Sequence, residues 1–196
     1  MKIGVIAIQG NVAEHVNALE RTLAERNDRG EILLIRQSGL VSDCDAIVLP
    51  GGESTTLARL MWKEGIAEEV RNASALNVPI LGTCAGLVLL AKHGDCQTTR
   101  IKQRLLGIMD IEVRRNAYGR QHESFETLID IPVVAGSFPA VFIRAPAIVR
   151  CGDDVTPLAR LGEYPVAAQQ GNALALAFHP EMVADTRLHH YFVDMI

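Results

Sequence analysis

The sequence predicts an α/β fold: a mostly parallel central sheet flanked by helices, with a few added antiparallel strands in the second half. Three observations carry this. Strand-like apolar runs alternate with segments of helical spacing through the first half. The runs are apolar at successive residues, the pattern of strands covered on both faces. Several stop at glycine or proline, as strands do where a loop leaves a sheet edge.

Residues 2–9 read as the first strand, ending at Gly10. Val12–Arg26 shows helical spacing through Val12, Val16, Leu19 and Leu23. Residues 31–36 form a second strand and Ala46–Leu49 a third, stopped by Pro50-Gly51-Gly52. Residues 54 to about 73 read as one long helix with Leu57, Leu60 and Met61 as its core stripe. Residues 78–81 are the next strand. It runs through Gly82-Thr83-Cys84-Ala85-Gly86 into an apolar helix over 87–91. In the second half, 108–113, 133–134, 140–143 and 166–169 are short strands separated by turn residues. Residues 174–178 form a buried strand that ends at His179-Pro180-Glu181, and 187–196 form a closing helix. No repeat, low-complexity tract or linker interrupts the 196 residues, so a single domain over 1–196 is expected. In such a sheet the loops after the strands form the ligand crevice.

Composition excludes several classes. A hydrophobic content of 48% supplies a sizeable core, and a net charge of -4 leaves no basic footprint for nucleic acid. No apolar run reaches the length of a membrane span. The apolar start, Met1 to Gly10, lacks a cleavage region and reads as a core strand, not a signal peptide. Cys44, Cys84, Cys96 and Cys151 show no C-x-x-C spacing. That argues against a zinc site or a disulfide framework and fits a reducing cytoplasm. No metal and no organic cofactor is expected.

The G-x-C-x-G segment is the cysteine form of a nucleophile elbow, a sharp strand-to-helix turn that lifts one side chain clear of the backbone. Flanking glycines fit because a Cβ on either side would collide. A helix N-terminus aimed at a thiol favours the thiolate, the nucleophilic form. Cys84 needs a base, and His179 has the right setting: it follows an apolar strand, so it belongs at the same carboxyl edge of the sheet. Glu181, two residues on in an extended segment, would face the same side and hold the imidazole's far N–H. The oxyanion of the reaction would be met by the N–H of Ala85 and by backbone at Gly51 and Gly52. Ser54-Thr55-Thr56 starts a helix whose N-terminus offers a site for a substrate carboxylate. Cys44, Cys96 and Cys151 read as core or surface residues. His15, on the first helix, reads as a surface or packing residue. His93, His122, His189 and His190 have no setting comparable to that of His179.

Taken together, Pro50-Gly51-Gly52-Glu53-Ser54-Thr55-Thr56, Gly82-Thr83-Cys84-Ala85-Gly86 and Phe178-His179-Pro180-Glu181 resemble the class I, triad-type glutamine amidotransferases, whose fold is flavodoxin-like. Three more stretches narrow the resemblance to the glutaminase subunits of pyridoxal 5'-phosphate synthases (the PdxT type). They are Gly4 to Gly10 with Glu14-His15, Arg115 to Gln121 followed by Ser124-Phe125-Glu126, and Val141 to Pro146. The resemblance implies that Cys84 attacks the side-chain amide of L-glutamine, with His179 as base and then acid, oriented by Glu181. It implies glutamine binding by Gly52, Glu53, Ser54, Arg115, Ile143 and Arg144; an arginine suits a carboxylate it can grip with two prongs. It implies a PdxS-type synthase subunit, assembled as a ring, that receives the ammonia and activates the glutaminase on docking, with Gln9-Gly10 as a place where activation is felt. One departure is Asn116-Ala117-Tyr118-Gly119 where the family often has Asn-Ser-Phe-Gly. The missing hydroxyl at Ala117 removes one hydrogen bond.

Other readings are a glutaminase serving another amidotransferase, such as imidazole glycerol phosphate synthase, a cysteine peptidase on the same sheet, or a binding module with a decayed site. The G-R-Q and F-I-R-A-P stretches argue against the first. The P-G-G-E-S segment argues against the second, and the intact Cys84, His179 and Glu181 against the third.

Overall fold

The computed structural model of the chain describes residues 1–115, 117 and 124–196. Its strands are β1 Lys2–Ile6, β2 Glu31–Ile35, β3 Ala46–Leu49, β4 Ile80–Thr83, β5 Ala91–Gly94, β6 Met109–Arg114, β7 Ser124–Ile131, β8 Gly136–Ile143, β9 Ala147–Cys151, β10 Thr156–Leu161, β11 Tyr164–Gln170 and β12 Ala173–Leu176. Its helices are α1 Val12–Arg26, α2 Ser54–Lys63, α3 Ile66–Ala75, α4 Ala85–Leu90, α5 Cys96–Arg100 and α6 Arg187–Val193. A seven-stranded sheet in the order β10-β11-β12-β4-β3-β1-β2 carries the architecture. From β12 to β2 all neighbours are parallel, whereas β10 and β11 are antiparallel additions. Two smaller sheets, β5-β6-β9 and β7-β8, complete it. This is the α/β arrangement expected, with its antiparallel strands in the second half.

The inner parallel strands are buried nearly along their length because helices cover both faces, whereas the edge strand β2 is buried only at Ile35. Every residue of β3, β4 and β12 is buried. The order β12-β4-β3-β1 matters most for function. It sets the carboxyl ends of four strands side by side, so the segments that follow them, 177–181, 84, 50–53 and 7–11, meet at one edge.

Several boundaries differ from expectation. The first strand stops at Ile6, and the loop that follows turns toward the sheet edge. The long helix expected after Pro50 is two helices, broken at Gly65, whose φ of 76° leaves the helical region. Val133-Val134 is not a strand but part of a 3-10 turn, Pro132–Val134, because Pro132 cannot donate to a ladder. Ala91 opens β5 and does not extend α4. Strands β5, β7, β9 and β10 and helix α5 are additional to the elements read from the sequence; β7 alternates exposed and half-buried residues over most of its length, a weaker pattern than a buried run. Among the described residues no helix is long and apolar enough to cross a membrane. The four cysteines are free.

Candidate active site

Cys84 joins β4 to α4 with φ 48° and ψ -99°, a backbone state few non-glycine residues adopt. The elbow is held from both sides. The N–H of Cys84 donates to the Leu176 carbonyl at 2.8 Å, and α4 lies so close to β3 that a Cβ on Gly86 would overlap the Leu49 carbonyl. A Cβ on Gly82 would come within 2.8 Å of the Gly86 carbonyl. Both glycines of G-x-C-x-G are therefore required by close approach. The Cys84 thiol faces the Ile143 carbonyl at 3.8 Å.

His179 follows β12 across Ala177-Phe178, and its N–H donates to the Val141 carbonyl at 2.9 Å. Phe178 packs on Phe142 with ring centroids 5.6 Å apart, and Phe142 stacks on Phe125 at 4.8 Å. This aromatic column ties the end of β8, which carries Ile143, to the segment that carries His179. The His179 Nδ1 hydrogen-bonds Glu181 Oε1 at 2.7 Å, and both residues are buried. The sequence predicts an extended segment between these two residues. The chain instead turns through a 3-10 turn, Pro180–Met182, and this turn brings the carboxylate back to the ring. With Nδ1 committed to Glu181, Nε2 is left for the thiol.

The electrostatics follow from that contact. Burial opposes charge on His179, but hydrogen bonding to Cys84 and Glu181, and their negative charge, outweigh it and push its pKa up to about 10. Burial also works against the Glu181 carboxylate. The imidazoles of His15 and His179 outweigh it and hold Glu181 below the ordinary carboxylate range. The pair is built to carry a protonated imidazole beside an ionised carboxylate.

A cleft of about 350 Å³ opens over the cysteine. Gly52, Glu53, Ser54, Cys84, Ala85, Arg115, Ile143, Arg144 and His179 all line it. Glu181 stands behind His179, and Gly51 abuts the His179 ring. The N-terminus of α2 is not free as expected. Glu53 caps it, accepting from Thr55 N–H at 2.9 Å and Thr56 N–H at 2.7 Å. Burial pushes the Glu53 pKa up, but these bonds dominate and lower it to about 2. The α2 terminus therefore spends two of its donors on the chain's own carboxylate.

Arg115, which lines the cleft, is held from several sides. Its Nη1 donates to Gln103 Oε1 at 3.1 Å and to Thr55 Oγ1 at 3.3 Å, and its Nη2 lies 3.5 Å from Glu53 Oε1. Its backbone N–H donates to Asp95 Oδ2 at 2.8 Å. Asp95 and Gln103 lie in a stretch without recognisable sequence signal. Arg144 has φ 44° and makes no ion pair among the described residues. Gln9 and Asn11 also line the cleft. Gln9 Oε1 accepts from the Glu53 N–H at 3.2 Å, which links the loop after β1 to the loop after β3. His15, read from sequence as surface or packing, is buried and 3.5 Å from Glu181 Oε1. Asn116, residues 118–121 of the G-R-Q stretch and His122 lie outside the described residues. Ala117 is described, and its N–H donates to the Ala145 carbonyl at 3.3 Å.

A mostly parallel sheet with a cysteine elbow beside a His–Glu pair is the architecture of a triad-type glutamine amidotransferase. The chain belongs to the SNO glutamine amidotransferase family, whose model matches residues 5–196. It is 56% identical to a pyridoxal 5'-phosphate synthase subunit PdxT of Methanosarcina barkeri, over 100% of this chain and 98% of the relative. It is 57% identical to that of Methanosarcina mazei over the same shares. A crystal structure of a glutamine amidotransferase superposes with a TM-score of 0.88 at 41% identity, covering 98% of this chain and 97% of the other.

Proposed function

We propose that this chain is the glutaminase subunit of a pyridoxal 5'-phosphate synthase and that Cys84, His179 and Glu181 are its catalytic triad. The observation that carries the reading is the 2.7 Å His179–Glu181 contact set beside the Cys84 elbow, in a cleft lined by Glu53 and two arginines.

Glutamine binds with its carboxylate toward Arg115 and Arg144 and its side-chain amide toward Cys84. The thiol proton passes to His179 Nε2, and sulfur attacks the amide carbon. Charge develops on the amide oxygen, where the N–H of Ala85 and backbone at Gly51-Gly52 receive it. His179 then returns its proton to the departing nitrogen, the C–N bond breaks and ammonia leaves a glutamyl thioester on Cys84. Water, deprotonated by His179, attacks the thioester; glutamate departs and the thiol is restored. Glu181 stays ionised throughout, fixing the tautomer and offsetting the imidazolium charge. The ammonia is handed to a PdxS-type synthase subunit, a ring-shaped core on which this chain docks and which uses ammonia to build the cofactor.

The test is glutamate release by the purified chain, with and without the synthase subunit. We expect stimulation by the synthase and no turnover by Cys84→Ala in either condition. Turnover retained in Cys84→Ala would sink the mechanism. A synthase that neither binds nor stimulates would sink the pathway while leaving the glutaminase. Glu181→Gln is expected to slow the reaction by orders of magnitude with the fold intact, because the amide no longer enforces the tautomer.

A further inference from the structure

Helix α1 places two side chains against the Glu181 carboxylate that the mechanism above does not use. Asn11 is the N-cap of α1 and His15 lies one turn on; positions four apart share a helix face. From that face Asn11 Nδ2 reaches Glu181 Oε1 at 3.4 Å, and His15 Nε2 stands 3.5 Å from the same oxygen. This is the oxygen that binds His179 at 2.7 Å. His15 also reaches the other end of the site. Its Nε2 is 3.0 Å from Thr83 Oγ1, and Thr83 immediately precedes Cys84.

His15 and Thr83 are both fully buried. A side chain needed only to fill this space would be apolar, since burying an imidazole costs free energy unless its polar atoms find partners. Burial holds the His15 pKa below its ordinary value, against the pull of the Glu181 carboxylate. An acceptor nitrogen facing a carboxylate at 3.5 Å would be repelled, which assigns the proton to Nε2. Nδ1 makes no hydrogen bond among the described residues. The Nε2 donor of His15 is thus spent between Thr83 and Glu181.

We propose that Asn11 and His15 are positioning residues for the glutaminase reaction: together they hold the Glu181 carboxylate, and His15 couples it to the residue before the nucleophile, so that one helix sets both ends of the triad. This rests on the reading of Cys84, His179 and Glu181 as the triad.

The experiment is a double-mutant cycle on the full chain with the synthase subunit present. His15→Leu is expected to lower kcat roughly tenfold, the loss of one hydrogen bond to a charged group. KM for glutamine stays within about twofold, because His15 does not line the cleft. His15→Gln, which restores an N–H, recovers most of the rate. In the Glu181→Gln background His15→Leu costs less than about twofold, because the group it acts through is gone. An equal loss in both backgrounds means that His15 only packs, and it overturns the proposal while the triad stands. A Glu181→Gln enzyme of full activity removes the triad reading and this proposal with it. If His15→Leu does not fold, Asn11→Ala takes its place in the cycle. Coupling to Glu181→Gln is then expected, and additivity overturns the proposal.

Discussion

Replacing Gly51 by alanine tests the placement of the base directly. The backbone at Gly51 has a negative φ region open to any residue, unlike Gly52 with φ 146°, so alanine adds bulk without backbone strain. A Cβ there would stand 3.0 Å from His179 Nδ1 and 3.4 Å from Nε2, and closer still to Cε1. Carbon contacts settle at roughly 3.5–4 Å, so the ring or the loop must give by about 1 Å. The ring is held by Glu181 on one side, and the loop by β3 on the other. A displacement of about 1 Å at a reacting group costs on the order of a hundredfold in rate, roughly 2.7 kcal/mol of barrier. The assay is steady-state glutamate release with the synthase subunit, beside a thermal melt. We expect kcat/KM about a hundredfold lower and a melting temperature within a few degrees of the parent. Unchanged kcat/KM in a folded Gly51→Ala chain would refute the position of His179 against the loop after β3, and the geometry of attack with it.

Three further outcomes follow from the same structure. Arg115→Lys keeps the charge but loses the planar fork held by Gln103 and Thr55; KM for glutamine should rise roughly tenfold with kcat within about twofold, and an unchanged KM would remove Arg115 from the glutamine site. Gly86→Ala should lose activity and about 1–3 kcal/mol or more of stability, because its Cβ would overlap the Leu49 carbonyl; a urea melt and a rate together check this. Burial, reinforced by His15, lowers the pKa of His189 from 6.5 to about 3. The unfolded chain binds that proton first, so the contribution is present above pH 6.5 and is lost as pH falls toward 3, at about 1.4 kcal/mol per unit. Urea unfolding at pH 7 and pH 5 should show a smaller pH-dependent loss for His189→Leu than for the parent, and equal losses would refute the assignment.

Much of the fold was legible because buried parallel strands are apolar at nearly every position, and β1, β3, β4 and β12 are such strands. The break at Gly65 was not, because apolar spacing continues across it and only the backbone angle reports it. Strands β7, β9 and β10 have exposed positions, so their pattern is weak. In the site, the structure brings Cys84, His179 and Glu181 together, but the link between the last two is not the extended segment expected from the sequence. The turn at Pro180 makes the contact through a different backbone path. Glu53 was read only as a binding residue; that it caps α2 depends on the rotation of its side chain back to Thr55 and Thr56, which a sequence does not specify.

The sequence by itself determined which residues stand at the strand ends, because the elbow glycines, the proline after His179 and the apolar strands are local demands written in consecutive positions. Only the tertiary structure decided what those residues meet. Strand order brings 9–15, 51–54, 84 and 179–181 to one edge, and the end of β8, in its own sheet, sets 143–144 against them. Those contacts join residues far apart in the chain, and no local pattern encodes them. The burial of His15 behind Glu181 and the fastening of Arg115 by Gln103 and Asp95 belong to that second kind. They exist because close packing leaves a buried charge or donor no solvent, so its partners are the groups the fold places beside it.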